Sequence, residues 1–171
     1  MTTIDLVIED DRWEAIGLLP LAERAITAAL KAGGIGDGYE IAILACDDDR
    51  IAALNAEFRS KPKPTNVLSW PAHDLAPVDP GGEPGKPPPP DGFDDHLGDI
   101  ALAYETCMAE AREQGKKPAD HVTHLILHGT LHLLGYDHIR DEDAELMEEL
   151  ERSTLAEMGI TDPYSGVAEP S

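Results

Sequence analysis

Three histidines in the C-terminal half of the chain have the spacing of metal ligands. His128, His132 and His138 occur in the run His-Gly-Thr-Leu-His-Leu-Leu-Gly-Tyr-Asp-His. Residues four apart lie on one face of an α-helix, about 5–6 Å from each other, so the first two imidazoles can bind one ion. Gly135 can adopt the left-handed conformation that ends a helix, which would turn His138 back toward them. The pattern predicts one divalent ion per chain, most simply Zn²⁺, with a coordination position open to water or substrate.

The surrounding histidines leave alternatives open. Five of the 7 histidines lie between His121 and His138 in an apolar setting, where protonated imidazoles without a metal would be costly to bury. His124 precedes His128 by one turn and could close the site as a fourth ligand. It lies about 6 Å further along the helix axis, however, which favours a supporting or cleft role. His121 is expected to be a hydrogen-bonded packing histidine, and Cys107 has no nearby cysteine with which to form a structural zinc site.

The residue after the first histidine bears on the chemistry. One group of metallopeptidases carries HExxHxxGxxH, in which the glutamate is the general base. This chain reproduces the three histidines and the glycine but has Gly129 in place of the glutamate. The pattern therefore disfavours a metallopeptidase-like hydrolase without excluding one.

The motif HGxLHLxGYDH resembles that of the YbeY-type rRNA maturation factors, which are bacterial metal-dependent endoribonucleases. Further blocks of the chain are similar to that family and occur in its order, covering most of residues 50–150: Leu54–Arg59, Lys63–Pro71, Leu97–Leu102, Glu105, and Glu110 with Ala111. The chain departs from the family pattern at Ala103, where a small hydroxyl or thiol residue is expected, and in a long insertion between Pro71 and Leu97.

The resemblance implies a single-strand-specific endoribonuclease acting in small-subunit rRNA maturation and ribosome quality control. Its partners would be rRNA and, by extension, small-subunit ribosomal proteins or an assembly GTPase. Arg59 is the candidate for bracing the phosphate, because its planar guanidinium fits two phosphate oxygens. The general base stays open between Asp137, His124 and the 2′-OH of the RNA itself. A non-enzymatic ribosome-assembly factor with a structural zinc is the remaining alternative.

Composition indicates one α/β domain over residues 1–162. The chain has 171 residues, of which 42% are hydrophobic and 27% charged, as is ordinary for a globular protein. Its two cysteines suit a reducing compartment. The N-terminus lacks a secretory pattern, and no apolar run reaches the roughly 20 residues of a membrane span. We therefore expect a cytoplasmic protein that does not associate with membranes.

The net negative charge of the chain disfavours RNA binding, but the charges are unevenly distributed and one segment is basic. The net charge is −21, whereas nucleic-acid binders usually present a basic face. Residues 137–162 hold ten carboxylates against Arg140 and Arg152. The segment Phe58–Asn66 instead contains Arg59, Lys61 and Lys63 and no acid, so a local basic patch is available to RNA.

Hydrophobic periodicity predicts the order β-α-β-α-β-β-α-α-α: a single mixed sheet of about four strands covered by helices, with the histidine helix buried at the centre. The expected strands are Thr3–Glu9, Tyr39–Cys46, Thr65–Trp70 and Asp99–Ala103. The expected helices are Leu19–Ala32, Asp47–Phe58, Glu105–Gln114, Pro118–Leu134 and Asp141–Met158. In the last helix, Leu146, Leu150 and Met158 are expected to be the apolar positions.

Residues 71–96 form an insertion of a different composition. Eight prolines and four glycines occupy Pro71–Asp95, which excludes a helix or a central strand. We expect a surface loop that contributes little to stability, either as a tolerated insertion or as a partner-binding segment. Residues 163–171 are expected to be a frayed tail.

Overall fold

The computed structural model describes residues 2–91, 95–137 and 139–160, which form a mixed sheet with helices packed on it. The strands are β1 (Thr3–Ile8), β2 (Glu40–Cys46), β3 (Val67–Pro71) and β4 (His96–Ala103). The helices are α1 (Leu18–Ala32), α2 (Asp48–Arg59), α3 (Tyr104–Glu113), α4 (Pro118–Leu133) and α5 (Asp141–Glu157). This order confirms the prediction and adds a short 3₁₀ helix, Asp11–Ile16, that the sequence analysis missed. Residues 163–171, expected as a tail, lie outside the described part.

The sheet has four strands in the order β1-β2-β4-β3, with β3 at an edge. The strand β2 pairs in parallel with β1 and β4, whereas β3 is antiparallel to β4. Because side chains alternate across a sheet, β2, β3 and β4 contribute to two separate apolar clusters, one on each face. Ile41, Ile43 and Ile100 face α1, α4 and α5, whereas Leu68 and Ala101 face α2.

Helix α4 is the central buried helix, as predicted. It packs on α1 and crosses the sheet, and most of its residues from Val122 to Leu133 are buried. Pro118 lies in its first turn, where a missing amide hydrogen costs nothing. A Cβ on Gly129 would lie 3.3 Å from Ile100 Cδ1, so the absence of a side chain lets α4 approach β4 closely. The position that carries the general base in the peptidase motif therefore faces the core of this protein.

Helix α2 presents its C-terminus to the edge strand β3. The Asp47 carboxylate caps its N-terminus by accepting from the backbone amide of Arg50 at 2.8 Å. At the other end of α2, Asn55 is buried. Its backbone carbonyl oxygen accepts from the backbone amide of Lys61, and its side-chain amide donates to the carbonyl oxygen of Lys63 at 2.9 Å. These bonds fix the course of the basic segment that follows the helix.

The described part of the Pro/Gly-rich insertion is hydrogen-bonded to the body of the protein. Its partners on the body are Tyr39, Gly33, Arg140 and Asp143, which bond Pro88, Lys86, Pro77 and Gly81 respectively at 2.8–2.9 Å. Such bonds contribute about 0.5–1.5 kcal/mol each. They run against the expectation that the insertion contributes little to stability. Within the described ranges, no helix is long and apolar enough to cross a membrane.

Candidate metal centre

Helix α4 carries a row of histidines spaced about one turn apart, and two of them contact α5. His121 is buried, and its Nε2 lies 2.9 Å from Glu110 Oε1, which agrees with the expected packing role. His124, His128 and His132 are partly exposed. His138 lies outside the described residues, so the predicted third ligand is not placed.

A carboxylate that was not predicted from the sequence connects two of these histidines. Glu151 of α5 is fully buried, with Oε1 at 2.7 Å from His124 Nε2 and Oε2 at 2.9 Å from His128 Nδ1. Burial alone would raise the pKa of Glu151, but the hydrogen bonds from His124 and His128 outweigh it and lower the pKa to about 2. The carboxylate is therefore ionised at neutral pH, and each of its oxygens carries an imidazole N–H bond.

This network determines which imidazole nitrogen of His128 can bind an ion. An ionised carboxylate only accepts, so His124 donates through Nε2 and His128 donates through Nδ1. The lone pair of a neutral His128 then resides on Nε2, on the other side of the ring. A carboxylate behind a histidine ligand in this way fixes the tautomer and orientation of the ring.

His132 has the same arrangement with a backbone acceptor. Its Nδ1 lies 3.1 Å from the carbonyl oxygen of Tyr136, which can only accept, so Nε2 is again the nitrogen with the lone pair. Burial has the largest effect on His132 and lowers its pKa. The charge of Asp137 and the hydrogen bond to Tyr136 O raise this pKa in part, whereas the charges of His128 and Arg59 lower it further. The ring is thus neutral at physiological pH, which is the form that binds a metal.

A cleft of about 360 Å³ opens beside His132 and is lined by Asp137, Tyr136, Gly135 and residues 71–76, including His73. Gly135 has φ +102°, and a Cβ there would lie 2.5 Å from Leu75 O. Glycine is therefore required both for the turn after α4 and for the close approach of the insertion. Asp137 is where the sequence analysis expected a candidate base, whereas His73 was not anticipated.

Arg59, the predicted phosphate contact, lies at the end of α2 beside the edge strand β3. Its guanidinium donates from Nη2 to the carbonyl oxygen of Ser69 at 2.9 Å, and the residue is exposed. Its charge is among those that lower the pKa of His132, so the two residues lie within electrostatic range of each other. Strand β3 and the end of α2 thus bring a cation beside the histidine cleft, in a chain of net charge −21.

One group of described side chains has the proximity needed to bind a metal ion. His124, His128 and Glu151 each offer a ligand atom, and these atoms lie within 4.8 Å of one another. This set shares only His128 with the predicted trio His128, His132 and His138. In the observed geometry both histidines are hydrogen-bonded to Glu151, so an ion among the three groups would have to replace those bonds.

Comparison with known proteins identifies close relatives of this chain. Residues 8–159 match the family described as Endoribonuclease YbeY. The protein of that name from Ruegeria pomeroyi is 60% identical over 164 residues, covering 95% of this chain and 98% of that protein. Its namesake from Paracoccus denitrificans is 56% identical and covers 94% of this chain and 89% of that protein. The solution structure of TM1509 from Thermotoga maritima shares the fold, with a TM-score of 0.53 at 22% identity over 96% of this chain and 99% of that one.

Proposed function

Because the chain belongs to the endoribonuclease YbeY family, we propose that it hydrolyses phosphodiester bonds of single-stranded rRNA during maturation and quality control of the small ribosomal subunit. The observation that supports this most is the cleft beside His132, which combines a neutral imidazole, the carboxylate of Asp137 and the nearby cation Arg59. A histidine metal site with a guanidinium in its vicinity is suited to an anionic substrate such as a phosphodiester.

We propose that one divalent ion, Zn²⁺ by preference, is held by His128, His132 and His138. The donor set fits this ion, because His128 and His132 each have Nδ1 bonded to an oxygen acceptor and so present Nε2. When bound, such an ion lowers the pKa of a coordinated water toward about 7 and polarises a phosphoryl oxygen. In this proposal Glu151 and His124 support the ligands from behind and do not contact the ion.

Arg59 is proposed to bind the scissile phosphate. Its bond to Ser69 O uses one guanidinium nitrogen and fixes the side chain at the edge of β3. The remaining N–H groups can pair with two phosphate oxygens in the forked geometry that lysine cannot reproduce. A positive charge held there acts on the negative charge that develops during phosphodiester hydrolysis.

Asp137 is proposed as the group that takes the proton from the attacking nucleophile. It lines the cleft with His132, and its charge acts on that ring. His124 is less suited, because its Nε2–H is donated to Glu151 and burial lowers its pKa. We assign His124 to the support of Glu151.

A peptidase mechanism of the HExxH type is less consistent with this structure. Its base would replace Gly129, where any side chain would press against Ile100 in the core. We also propose that the protein works in the cytoplasm, which suits its two buried free cysteines, and meets rRNA within the small subunit beside ribosomal proteins or an assembly GTPase.

The experiment that tests this function uses the purified, metal-loaded protein with a single-stranded RNA, a duplex of the same sequence and an unstructured peptide. We expect cleavage of the single strand only, and its loss on chelation and recovery on adding Zn²⁺. An Asp137→Asn variant should retain metal and lose most of the activity. Cleavage of the peptide, or of no substrate by a fully metallated protein, would contradict the proposal.

A further inference from the structure

Two aromatic side chains lie together at the edge of the sheet, on the face that α4 does not cover. The rings of Phe58, in the last turn of α2, and Trp70, on β3, are 5.7 Å apart at an interplanar angle of 70°. Phe58 is 58% exposed and is the one exposed aromatic residue within the described ranges, and Trp70 is partly buried. The pair borders an open, mostly apolar depression of about 500 Å³.

This aromatic corner adjoins the proposed active site along strand β3 and at the end of α2. Pro71 lines the cleft beside His132, whereas its neighbour Trp70 lines the depression on the other face of the sheet. Arg59 follows Phe58 directly, and its guanidinium reaches across the strand edge to Ser69 O. A strand of RNA whose phosphate contacts Arg59 therefore passes within one or two nucleotides of Phe58.

The segment that follows Phe58 is basic, although the depression itself is also lined by the carboxylates of Asp5 and Asp99. Asp99 is the cross-strand neighbour of Trp70 and is paired with His96 at 3.0 Å. Residues 58–66 contain three cations and no acid in a protein of net charge −21. Lys61 and Lys63 are exposed, and the backbone that carries them is fixed by Asn55. Exposed aromatic rings beside cations on a fixed backbone are the combination with which proteins bind single-stranded nucleic acids, because every base has a face on which to stack.

We propose that Phe58 and Trp70 form a base-stacking platform for the single-stranded RNA substrate, adjacent to the scissile phosphate and indifferent to base identity. This proposal rests on the proposed function and adds to it a reason for the preference for single strands. The bases of a duplex are stacked on each other and cannot reach a protein ring without unpairing. The platform is therefore predicted to contribute to substrate binding, whereas Arg59 and the histidines carry out the chemistry.

The test is steady-state cleavage of short oligoribonucleotides by the metal-loaded full chain. Stacking of one base contributes about 1–3 kcal/mol, so Phe58→Ala should raise KM about 5- to 150-fold. The loss should fall mainly on KM, and substrates made of U, A or C should be affected alike. Phe58→Tyr should restore binding, whereas Phe58→Leu, which keeps apolar area without an aromatic face, should not.

Val7→Ala is the matched control. Val7 is 50% exposed and borders the same depression from β1, at the far edge of the sheet. This variant should cleave RNA like the wild type.

Tryptophan fluorescence gives an independent readout, since Trp13 is fully buried and Trp70 is the other tryptophan of the chain. On rapid mixing, an oligouridylate should quench Trp70, whereas an abasic strand of the same length should not.

Several outcomes would overturn the platform. These are a KM for Phe58→Ala within about twofold of wild type, recovery by Phe58→Leu, or an equal effect of Val7→Ala, which would indicate a general apolar surface. If the wild type is a dimer in solution and Phe58→Ala is a monomer with an unchanged KM, the corner is a contact with a second copy of the chain. If the wild-type protein cleaves no RNA at all, the proposed function itself fails, which is a distinguishable result.

Discussion

Replacing Glu151 by glutamine tests the hydrogen-bond network behind the proposed ligands. The carboxylate is fully buried and accepts one bond from His124 and one from His128. Hydrogen bonds to a charged group contribute about 1.5–3 kcal/mol each, and neutral ones about 0.5–1.5 kcal/mol. Glutamine keeps the shape but has one acceptor oxygen and no charge, so it loses one bond and weakens the other. We expect Glu151→Gln to lower the free energy of unfolding of the metal-free protein by about 2–4 kcal/mol.

The same substitution should weaken metal binding without abolishing it. The His128 ring would no longer be held with Nε2 toward the ion, and loss of such a support typically costs about 10–100-fold in affinity. Urea denaturation of the chelator-treated protein measures the first effect, and Zn²⁺ titration against a chromophoric chelator measures the second. The matched control is Glu149→Gln on the same helix, where the carboxylate is 66% exposed and pairs with Arg152 at 2.7 Å. That surface pair should contribute about 0–1 kcal/mol.

A supporting role for Glu151 would be refuted if Glu151→Gln and Glu149→Gln had free energies of unfolding within about 0.5 kcal/mol of each other and bound Zn²⁺ with the same affinity. A complete loss of metal in Glu151→Gln, far beyond about 100-fold, would instead identify Glu151 as a ligand. The two measurements therefore separate a residue that positions His128 from one that contacts the ion, and from one with no role at the site.

Two further changes follow from the same structure. Arg59→Ala should reduce RNA cleavage by about 100-fold or more, because the cation that pairs with the phosphate is lost. Metal content and thermal stability should stay near wild type, since Arg59 is exposed and only its one bond to Ser69 O is lost. Arg59→Lys should recover little activity, because lysine lacks the guanidinium fork. An equal loss of metal or a lower Tm would make Arg59 structural. Replacing residues 74–91 by a short Gly-Ser linker should lower the free energy of unfolding by about 2 kcal/mol or more. The hydrogen bonds that are lost outweigh the roughly 1 kcal/mol of loop-closure entropy that is recovered. Denaturant titration measures this change, and an unfolding midpoint equal to that of the wild type would contradict the prediction.

The fold was largely predictable because its signals are local. Apolar periodicity, the Asp47 cap and Pro118 in the first turn of α4 each act within a few residues, and the observed elements differ from the predicted ones by about three residues at most. The contacts of the insertion were not predictable, because its hydrogen bonds join residues about 50–60 positions apart whose side chains carry no common pattern. A proline-rich composition shows what such a segment cannot form, but not what it packs against.

Glu151 was not predicted as a site residue, because the buried face expected for α5 is shifted by about one residue from the face that is buried in the structure. The expected apolar positions Leu146, Leu150 and Met158 are only partly buried, whereas Met147, Glu151 and Leu155 are fully buried. With that second stripe, spaced four residues apart, a carboxylate occupies a core position and requires a partner. The partner lies 23 residues earlier on another helix, which is a contact that helical periodicity alone cannot reveal.

The most direct test of the account is the metal content of single-histidine variants of the full chain, measured by mass spectrometry after exhaustive dialysis. The wild type should hold one Zn²⁺ per chain, and His132→Ala should lose most of it, as should His138→Ala. His124→Ala should retain the ion, because its imidazole is bonded to Glu151. If His132→Ala keeps the ion and His124→Ala releases it, the metal lies among His124, His128 and Glu151, and the three-histidine site is wrong.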